Sequence, residues 1–178
     1  MKKEEARAQA SLNCKQLTAQ QRQIKSEIIC QKVANCEEFK NAQSVFLYNS
    51  FANEVQTKML YELCLQQNKI LYLPRVFGDN MQAVRILKQT IFTKNAWGIE
   101  EPICVSREIF CDCDLAIIPM VACDKNKNRV GRGKGYYDKF LANKTCFKLG
   151  IAFAEQVFDE IETSQHDIKM DKIITDKQ

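Results

Sequence analysis

The sequence predicts an α/β protein in three layers, with a mostly parallel central sheet and helices on both faces. Short apolar runs at Val45–Tyr48, Ile70–Leu73, Leu115–Val121, Phe147–Phe153 and Lys172–Thr175 alternate with segments of helical period. The runs are apolar at successive positions, which suits strands covered on both faces. The 178 residues are 46% hydrophobic and 27% charged, proportions that exclude a disordered or fibrous chain and suit one domain with its own core.

From Lys2 to Phe39 the chain is rich in Ala, Gln, Glu and Lys, lacks Pro and Gly, and sets Leu12, Leu17, Ile24, Ile28 and Val33 at roughly helical intervals. This predicts one or two helices. Val45–Tyr48 then reads as a short buried strand and Val55–Asn68 as an amphipathic helix burying Met59, Leu60, Leu63 and Cys64. Ile70–Leu73 reads as a second strand stopped by Pro74, since proline cannot donate to a ladder. Together these form a β-α-β unit. Signals weaken between Val76 and Arg107, where Met81–Ile86 suits a strand and Trp97–Pro102 carries the breakers of a loop. Leu115–Val121 is the strongest strand; Tyr136–Ala142 should be helical, and Phe147–Phe153 and Lys172–Thr175 close the sheet. With no repeat, low-complexity tract or Gly/Ser-rich linker, one domain over residues 1–178 is expected.

Leu115–Cys123, the longest apolar run, is too short to cross a bilayer, and the N-terminus opens on charged residues. The expectation is a cytoplasmic protein without a membrane partner. A net charge of +4 and a pI near 8.5 suit a polyanionic ligand and fall short of a nucleic-acid binder. The nine cysteines are odd in number, dispersed and free of CxxC spacing, which argues against a disulfide framework. Cys111, Asp112, Cys113 and Asp114 form a local cluster but lack the paired Cys or His spacings of tetrahedral zinc. They read as reduced, partly buried thiols beside carboxylates.

The segment richest in chemistry follows the Leu115–Val121 strand. After Asp124-Lys125-Asn126-Lys127-Asn128 comes Arg129-Val130-Gly131-Arg132-Gly133-Lys134-Gly135-Tyr136-Tyr137-Asp138, which holds three of the six glycines. Alternating glycines let successive backbone N–H groups approach an anion, and a helix starting near Tyr136 adds its positive end. Arg132 can pair with phosphate oxygens bidentately, Lys134 as a point charge, and Asp138 can hold Mg²⁺ beside phosphate. The run fits neither the Walker nor the dinucleotide pattern. A surface turn, or a basic aromatic strip that stacks on RNA bases, are its other readings.

Arg129–Leu141, RVGRGKGYYDKFL, resembles the signature of the 5-formyltetrahydrofolate cyclo-ligase family. Lys3 and Arg7 resemble that family's N-terminal basic pair, Glu54-Val55-Gln56-Thr57 its EvxT element, and Leu73-Pro74-Arg75-Val76 the end of its second strand. Trp97–Pro102 resembles its GIxEP loop, Asp114–Pro119 its DxxxxP strand, and His166–Thr175 its C-terminal element, so the likeness spans nearly the whole chain. Met120 and Cys123 replace the family's Gly and Phe, and Val130 its Leu; these departures touch packing beside the loop, not its charges.

The resemblance implies a NagB/RpiA/CoA-transferase-like sheet and an ATP- and Mg²⁺-dependent closure of 5-formyltetrahydrofolate to 5,10-methenyltetrahydrofolate. It implies a monomer acting on a polyglutamylated folate. It places Lys3, Arg7, Arg129, Gly131, Arg132, Gly133, Lys134, Gly135, Tyr136 and Tyr137 on ATP, with Arg132 and Lys134 catalytic. Asn49, Glu54, Trp97 and Tyr136 fall to the folate, and Asp138 and Asp167 to Mg²⁺. Outside the resemblance, each has an ordinary reading: Lys3 and Arg7 as solvated helix charges, Glu54 as a first-turn carboxylate, Asp167 as a turn residue, Trp97 as a core aromatic.

Overall fold

The N-terminal region forms three helices where one or two were expected: α1 (Lys3–Lys15), α2 (Ala19–Asn35) and α3 (Glu37–Asn41). Thr18 makes the first break. Its hydroxyl accepts the Gln21 N–H at 3.1 Å while the Gln21 side chain accepts the Thr18 N–H at 2.8 Å, a reciprocal cap that starts α2 afresh. Cys36, in extended conformation, ends α2 and opens α3. The computed structural model describes residues 1–51, 53–96, 98–103 and 112–177.

Beyond α3 come β1 (Ser44–Phe46), α4 (Lys58–Gln66), β2 (Ile70–Phe77), β3 (Asn80–Arg85), β4 (Phe92–Lys94) and β5 (Glu100–Pro102). The C-terminal half adds β6 (Leu115–Pro119), β7 (Ala122–Asp124), β8 (Arg129–Val130), α5 (Tyr136–Leu141), β9 (Phe147–Ile151), β10 (Val157–Phe158) and β11 (Lys172–Ile174). The main sheet runs β11-β9-β6-β1-β2-β3, parallel except for the β2–β3 hairpin. Smaller sheets, β10-β7-β8 and β4-β5, lie outside it.

Both faces of the main sheet are covered, as the unbroken apolar strands predicted. Val45, Leu71, Leu73, Leu115, Ile117, Leu149 and Ile151 share one cluster with Ile29, Val33, Phe39 and Leu60 of α2, α3 and α4. The alternate residues Phe46, Ala116 and Ile118 share another with Leu141 of α5. Ala6 and Ala10 of α1 pack on Ala122 and Val130, so α1 is bound to the small sheet that carries the glycine loop.

Three expectations need correction. The helix expected from Val55 begins at Lys58, because the preceding residues anchor the chain: the Tyr48 hydroxyl donates to the Val55 carbonyl at 2.9 Å and the Thr57 hydroxyl to the Tyr48 carbonyl at 2.7 Å. β2 runs through Pro74 to Phe77 instead of stopping at Leu73. Tyr72 faces β1, its carbonyl accepting the Leu47 N–H, and Leu71 faces β3, its carbonyl accepting the Ile86 N–H. By alternation Pro74 faces the β1 side, beyond the last β1 partner, where no donor is required. Finally, Glu100–Pro102 within the expected loop is a strand paired with Phe92–Lys94; Trp97 lies outside the described residues. No helix among the described residues is long and apolar enough to cross a membrane.

Asp114, just ahead of β6, fastens it to β1 by accepting the Gln43 N–H (2.9 Å), the Ser44 N–H (2.8 Å) and the Ser44 hydroxyl (2.9 Å). The Ser44 N–H and hydroxyl, with that of Gln43, hold its carboxyl below the ordinary 3.8. Its contribution is therefore complete above that unfolded-chain value and is lost as pH falls from there through the lower folded one. Asp114→Asn should remove this part of the acid sensitivity, read as a flatter dependence of the urea midpoint on pH below about 4. Ile117→Ala at the sheet centre should cost roughly 2–5 kcal/mol in the same unfolding measurement, whereas Ile24→Ala, half exposed on α2, should stay within about 0.5 kcal/mol.

Candidate active site

β1 lies between β2, which follows it in the chain, and β6, which returns from the other side. The order in which strands are added therefore reverses between the parallel neighbours β1 and β6, the switch point outside whose carboxyl ends such sheets form a crevice. The segment after β1 brings Asn49 and Glu54 to this crevice. β6 ends there at Pro119, and the segment after it brings the β7–β8 hairpin and the glycine loop 131–135.

The hairpin is set by Asp124, 2% exposed. Its carboxylate accepts the N–H groups of Asn126 and Asn128 (both 2.9 Å), the Asn128 side-chain amide (2.8 Å) and the Ile161 N–H (3.0 Å). An aspartate wrapping its own turn fixes where β8 leaves and hence where the loop begins.

Arg129 supports the loop from beneath. Its side chain is 3% exposed; the guanidinium donates to the Pro119 carbonyl at 3.3 Å and to Asp138 Oδ2 at 3.2 Å, and lies 5.2 Å from the Tyr137 ring centroid. A Cβ on Gly131 would come within 2.8 Å of that guanidinium, so glycine is required for the loop to cross over it. Gly133 and Gly135 hold φ of +97° and +68°, conformations that turn the backbone and disfavour side chains.

The N-terminal helix supplies charge from the far end of the sequence. Arg7 Nε donates to the Gly131 carbonyl at 2.8 Å, and its guanidinium runs alongside Gly133. Lys3 pairs with Asp167 and donates to Ser164 Oγ at 3.3 Å. Burial raises the Asp167 carboxyl, but the Lys3 ammonium and the Ser164 N–H outweigh it and hold the group below the usual range. Asp138 Oδ1 accepts the N–H of Ile168, the residue after Asp167, at 3.4 Å, which brings the two carboxylate-bearing segments together. Across the crevice, Arg132 donates to Glu54 Oε1 at 2.8 Å and stands 5.3 Å from the Phe51 ring. Glu54 Oε2 accepts the Phe51 N–H at 3.0 Å.

Lys3, Arg7, Gly131, Arg132, Gly133, Gly135, Glu54, Asp138 and Asp167 thus converge as the sequence suggested, with Lys134 on the exposed part of the loop. Asn49 donates to the Glu100 carbonyl at 2.6 Å and Tyr136 to the Gly78 carbonyl at 3.2 Å, tying the crevice rim to β5 and to the β2–β3 turn. Arg129 and Tyr137, expected on the nucleotide, are turned inward: Tyr137 packs edge-on to Phe46 at 6.4 Å, and burial pushes its hydroxyl well above the ordinary value. With Arg129 buried and Tyr137 half-buried, the segment is not an exposed basic aromatic strip. Trp97 is outside the described residues. Sequence reasoning missed Asp124 and Phe51; the Asp-x-Asn-x-Asn spacing around residue 126 was the available signal for the first, and nothing local marked the second.

Residues 1–176 match the model of the 5-formyltetrahydrofolate cyclo-ligase family. A probable 5-formyltetrahydrofolate cyclo-ligase of Schizosaccharomyces pombe is 34% identical, the match covering 83% of this chain and 81% of that one. The 5-formyltetrahydrofolate cyclo-ligase of Mus musculus is 31% identical over 94% and 90%. Among solved structures, the 5,10-methenyltetrahydrofolate synthetase of Aquifex aeolicus superposes with a TM-score of 0.86 at 31% identity, covering 99% of this chain and 90% of that chain. A Mycoplasma pneumoniae protein of the same name, at 24% identity, shares the fold with a TM-score of 0.78 over 99% and 100%. Fold, crevice and relatives together define an α/β enzyme of the ligase class, in folate-linked one-carbon metabolism. The chain belongs to the 5-formyltetrahydrofolate cyclo-ligase family.

Arg129→Ala should remove the underpinning of the loop and leave Asp138 without its cation. A loss of about 2–3 kcal/mol in urea unfolding is expected, the scale of a hydrogen bond to a charged group. Arg129→Lys should recover only part of it, because an ammonium cannot span Pro119 and Asp138 as a planar fork does.

Proposed function

We propose that this enzyme, a cytoplasmic monomer, uses ATP and Mg²⁺ to close 5-formyltetrahydrofolate to 5,10-methenyltetrahydrofolate, releasing ADP and phosphate. Family membership supports the folate half of this reading. The observation that carries the nucleotide half is the Arg7–Gly131 contact, which holds an N-terminal guanidinium against the glycine loop from 124 residues away. A net charge of +4 suits both a triphosphate and a polyglutamylated folate.

The formyl oxygen attacks the γ-phosphorus, an O–P bond forms and ADP departs with the old bridging oxygen. N10 then attacks the formyl carbon; the C–O bond to phosphate breaks and the N10 proton is lost. Phosphoryl transfer asks for alignment and positive charge rather than a protein nucleophile. Lys3, Arg7, Arg132 and Lys134 supply the charge and the loop amides the alignment, with Arg132 and Lys134 nearest the transferring group. Glu54 accepts from the pterin, and Asn49, Trp97 and Tyr136 are assigned to the folate by the family resemblance.

The Arg132–Glu54 pair suits such a site. Arg132 is 56% and Glu54 17% exposed, and an ion pair open to water contributes only about 0–1 kcal/mol. Opening it to give phosphate to the arginine and pterin donors to the glutamate costs little.

Asp138 and Asp167 are hard oxygen donors carried by segments in contact, a donor set that fits Mg²⁺. Bound there, the ion would neutralise phosphate charge.

Enzyme with 5-formyltetrahydrofolate and Mg-ATP should develop the near-ultraviolet absorbance of the methenyl product; folded protein that gives none rejects the reading. Arg132→Ala should lower kcat by roughly 100-fold, as for loss of one transition-state donor, and Asp138→Asn should raise the Mg²⁺ requirement. Wild-type behaviour in both variants removes these residues from the reaction.

A further inference from the structure

The cluster beneath α5 contains three thiols that the proposed reaction does not use, and two of them stand at neighbouring strand ends. Cys113 lies two residues ahead of β6 and Cys146 one residue ahead of β9, and the following Leu115 and Phe147 are register partners in neighbouring strands. The sequence grouped Cys113 with its immediate neighbours. The structure sets it against Cys146 instead: the two Sγ atoms and a carboxylate oxygen of Asp112 all lie within 4.8 Å of one another, the one such convergence of His, Cys, Asp or Glu among the described residues.

The Asp112 carboxylate is already occupied. Oδ1 accepts the Cys113 N–H at 3.0 Å, and Oδ2 accepts the Thr145 N–H at 3.1 Å and the Thr145 hydroxyl at 2.5 Å. It clamps the lead-in to β6 against the lead-in to β9 and so fixes the approach of the sulfurs. With two thiols and no imidazole, the cluster falls short of a four-ligand structural zinc site. The two cysteines lead into adjacent strands one register step apart, and with strands about 4.8 Å apart and a rise of about 3.3 Å per residue such a diagonal pair falls near the roughly 4.4–6.8 Å Cα separation a disulfide spans. Cys113 is 8% and Cys146 4% exposed, and the chain neighbours Asp112 and Thr145 are exposed.

We propose that Cys113 and Cys146 form an oxidation-sensitive thiol pair that closes to a disulfide under hydrogen peroxide. The Cys146 thiolate attacks a peroxide oxygen, the O–O bond breaks and hydroxide leaves, giving a sulfenic acid. The Cys113 sulfur then attacks Cys146 Sγ; the S–S bond forms, the S–O bond breaks and water departs with the Cys113 proton. Two thiols lose two electrons and two protons, and peroxide is reduced to two waters. The order follows from the surroundings: a hydrogen bond from Cys113 lowers the Cys146 thiol, burial opposes this, and Lys148 adds to the lowering. The same hydrogen bond, with burial, raises Cys113. Elsewhere burial pushes the thiols of Cys14 and Cys64 up to about 11 and those of Cys30 and Cys123 up to about 12, which keeps them protonated and unreactive.

The test treats the reduced full-length protein with a small excess of hydrogen peroxide, alkylates it and maps the peptides by mass spectrometry. Two of the nine thiols should disappear first, in one peptide pair joined through Cys113 and Cys146 and released by dithiothreitol. Cys113→Ser should abolish the bridge and leave a sulfenic acid on Cys146 that dimedone captures. The wild-type map needs no variant, so it stands even if the serine protein fails to fold. A first bridge through another cysteine such as Cys111, over-oxidation of the pair without bridging, or a zinc ion retained by the pair that blocks oxidation would overturn the proposal.

Discussion

Much of this molecule depends on one guanidinium that has been taken out of water. Arg129 is held between the end of β6, the glycine loop and the start of α5, donating to Pro119 and Asp138 while its Nε atom finds no partner. A buried charge with an unmet donor is tolerated only where its surroundings hold it tightly. Here the same contacts set the height of the loop, demand glycine at 131 and orient Asp138. A loop that might have been a mobile turn is thereby seated on a charged support inside the fold.

Around that support the charges of the crevice are matched in pairs drawn from distant parts of the chain. Lys3 meets Asp167, Arg132 meets Glu54, and Arg7 meets the Gly131 carbonyl. The pairs keep several cations close together without mutual repulsion. Their exposure grades with role: the Arg129–Asp138 arginine is inside and fixed, whereas Arg132 is open to solvent and can change partners.

The frame is a sheet covered on both sides, with its change of strand order placed between the parallel neighbours β1 and β6. Two aspartates fix its ends: exposed Asp114 ties β6 to β1 at the amino side, and buried Asp124 wraps the β7–β8 turn at the carboxyl side. α1, packed through Ala6 and Ala10 on the small sheet, carries its basic residues to the loop. The two small alanines let the helix come near enough for Arg7 to reach Gly131.

The α/β class, the parallel order and the main strands were legible in the sequence, because strands buried on both faces must be apolar throughout and helices must repeat near every third or fourth residue. The tight turns of the glycine loop were legible too, since backbone at φ of +97° and +68° favours glycine. The ordered motifs, compared as a set, sufficed to indicate the family. Other features were decided only in three dimensions. Two- and three-residue strands such as β7 and β8 are too short to show a period, and Pro74 could lie within β2 because β1 had already ended beside it. The inward turn of Arg129 and Tyr137, the Arg132–Glu54 bridge and the meeting of Cys113 with Cys146 arise where separate segments fold together. Local sequence records which groups a segment offers; which of them face each other, and which are removed from water, is settled by packing among elements that the chain order leaves far apart.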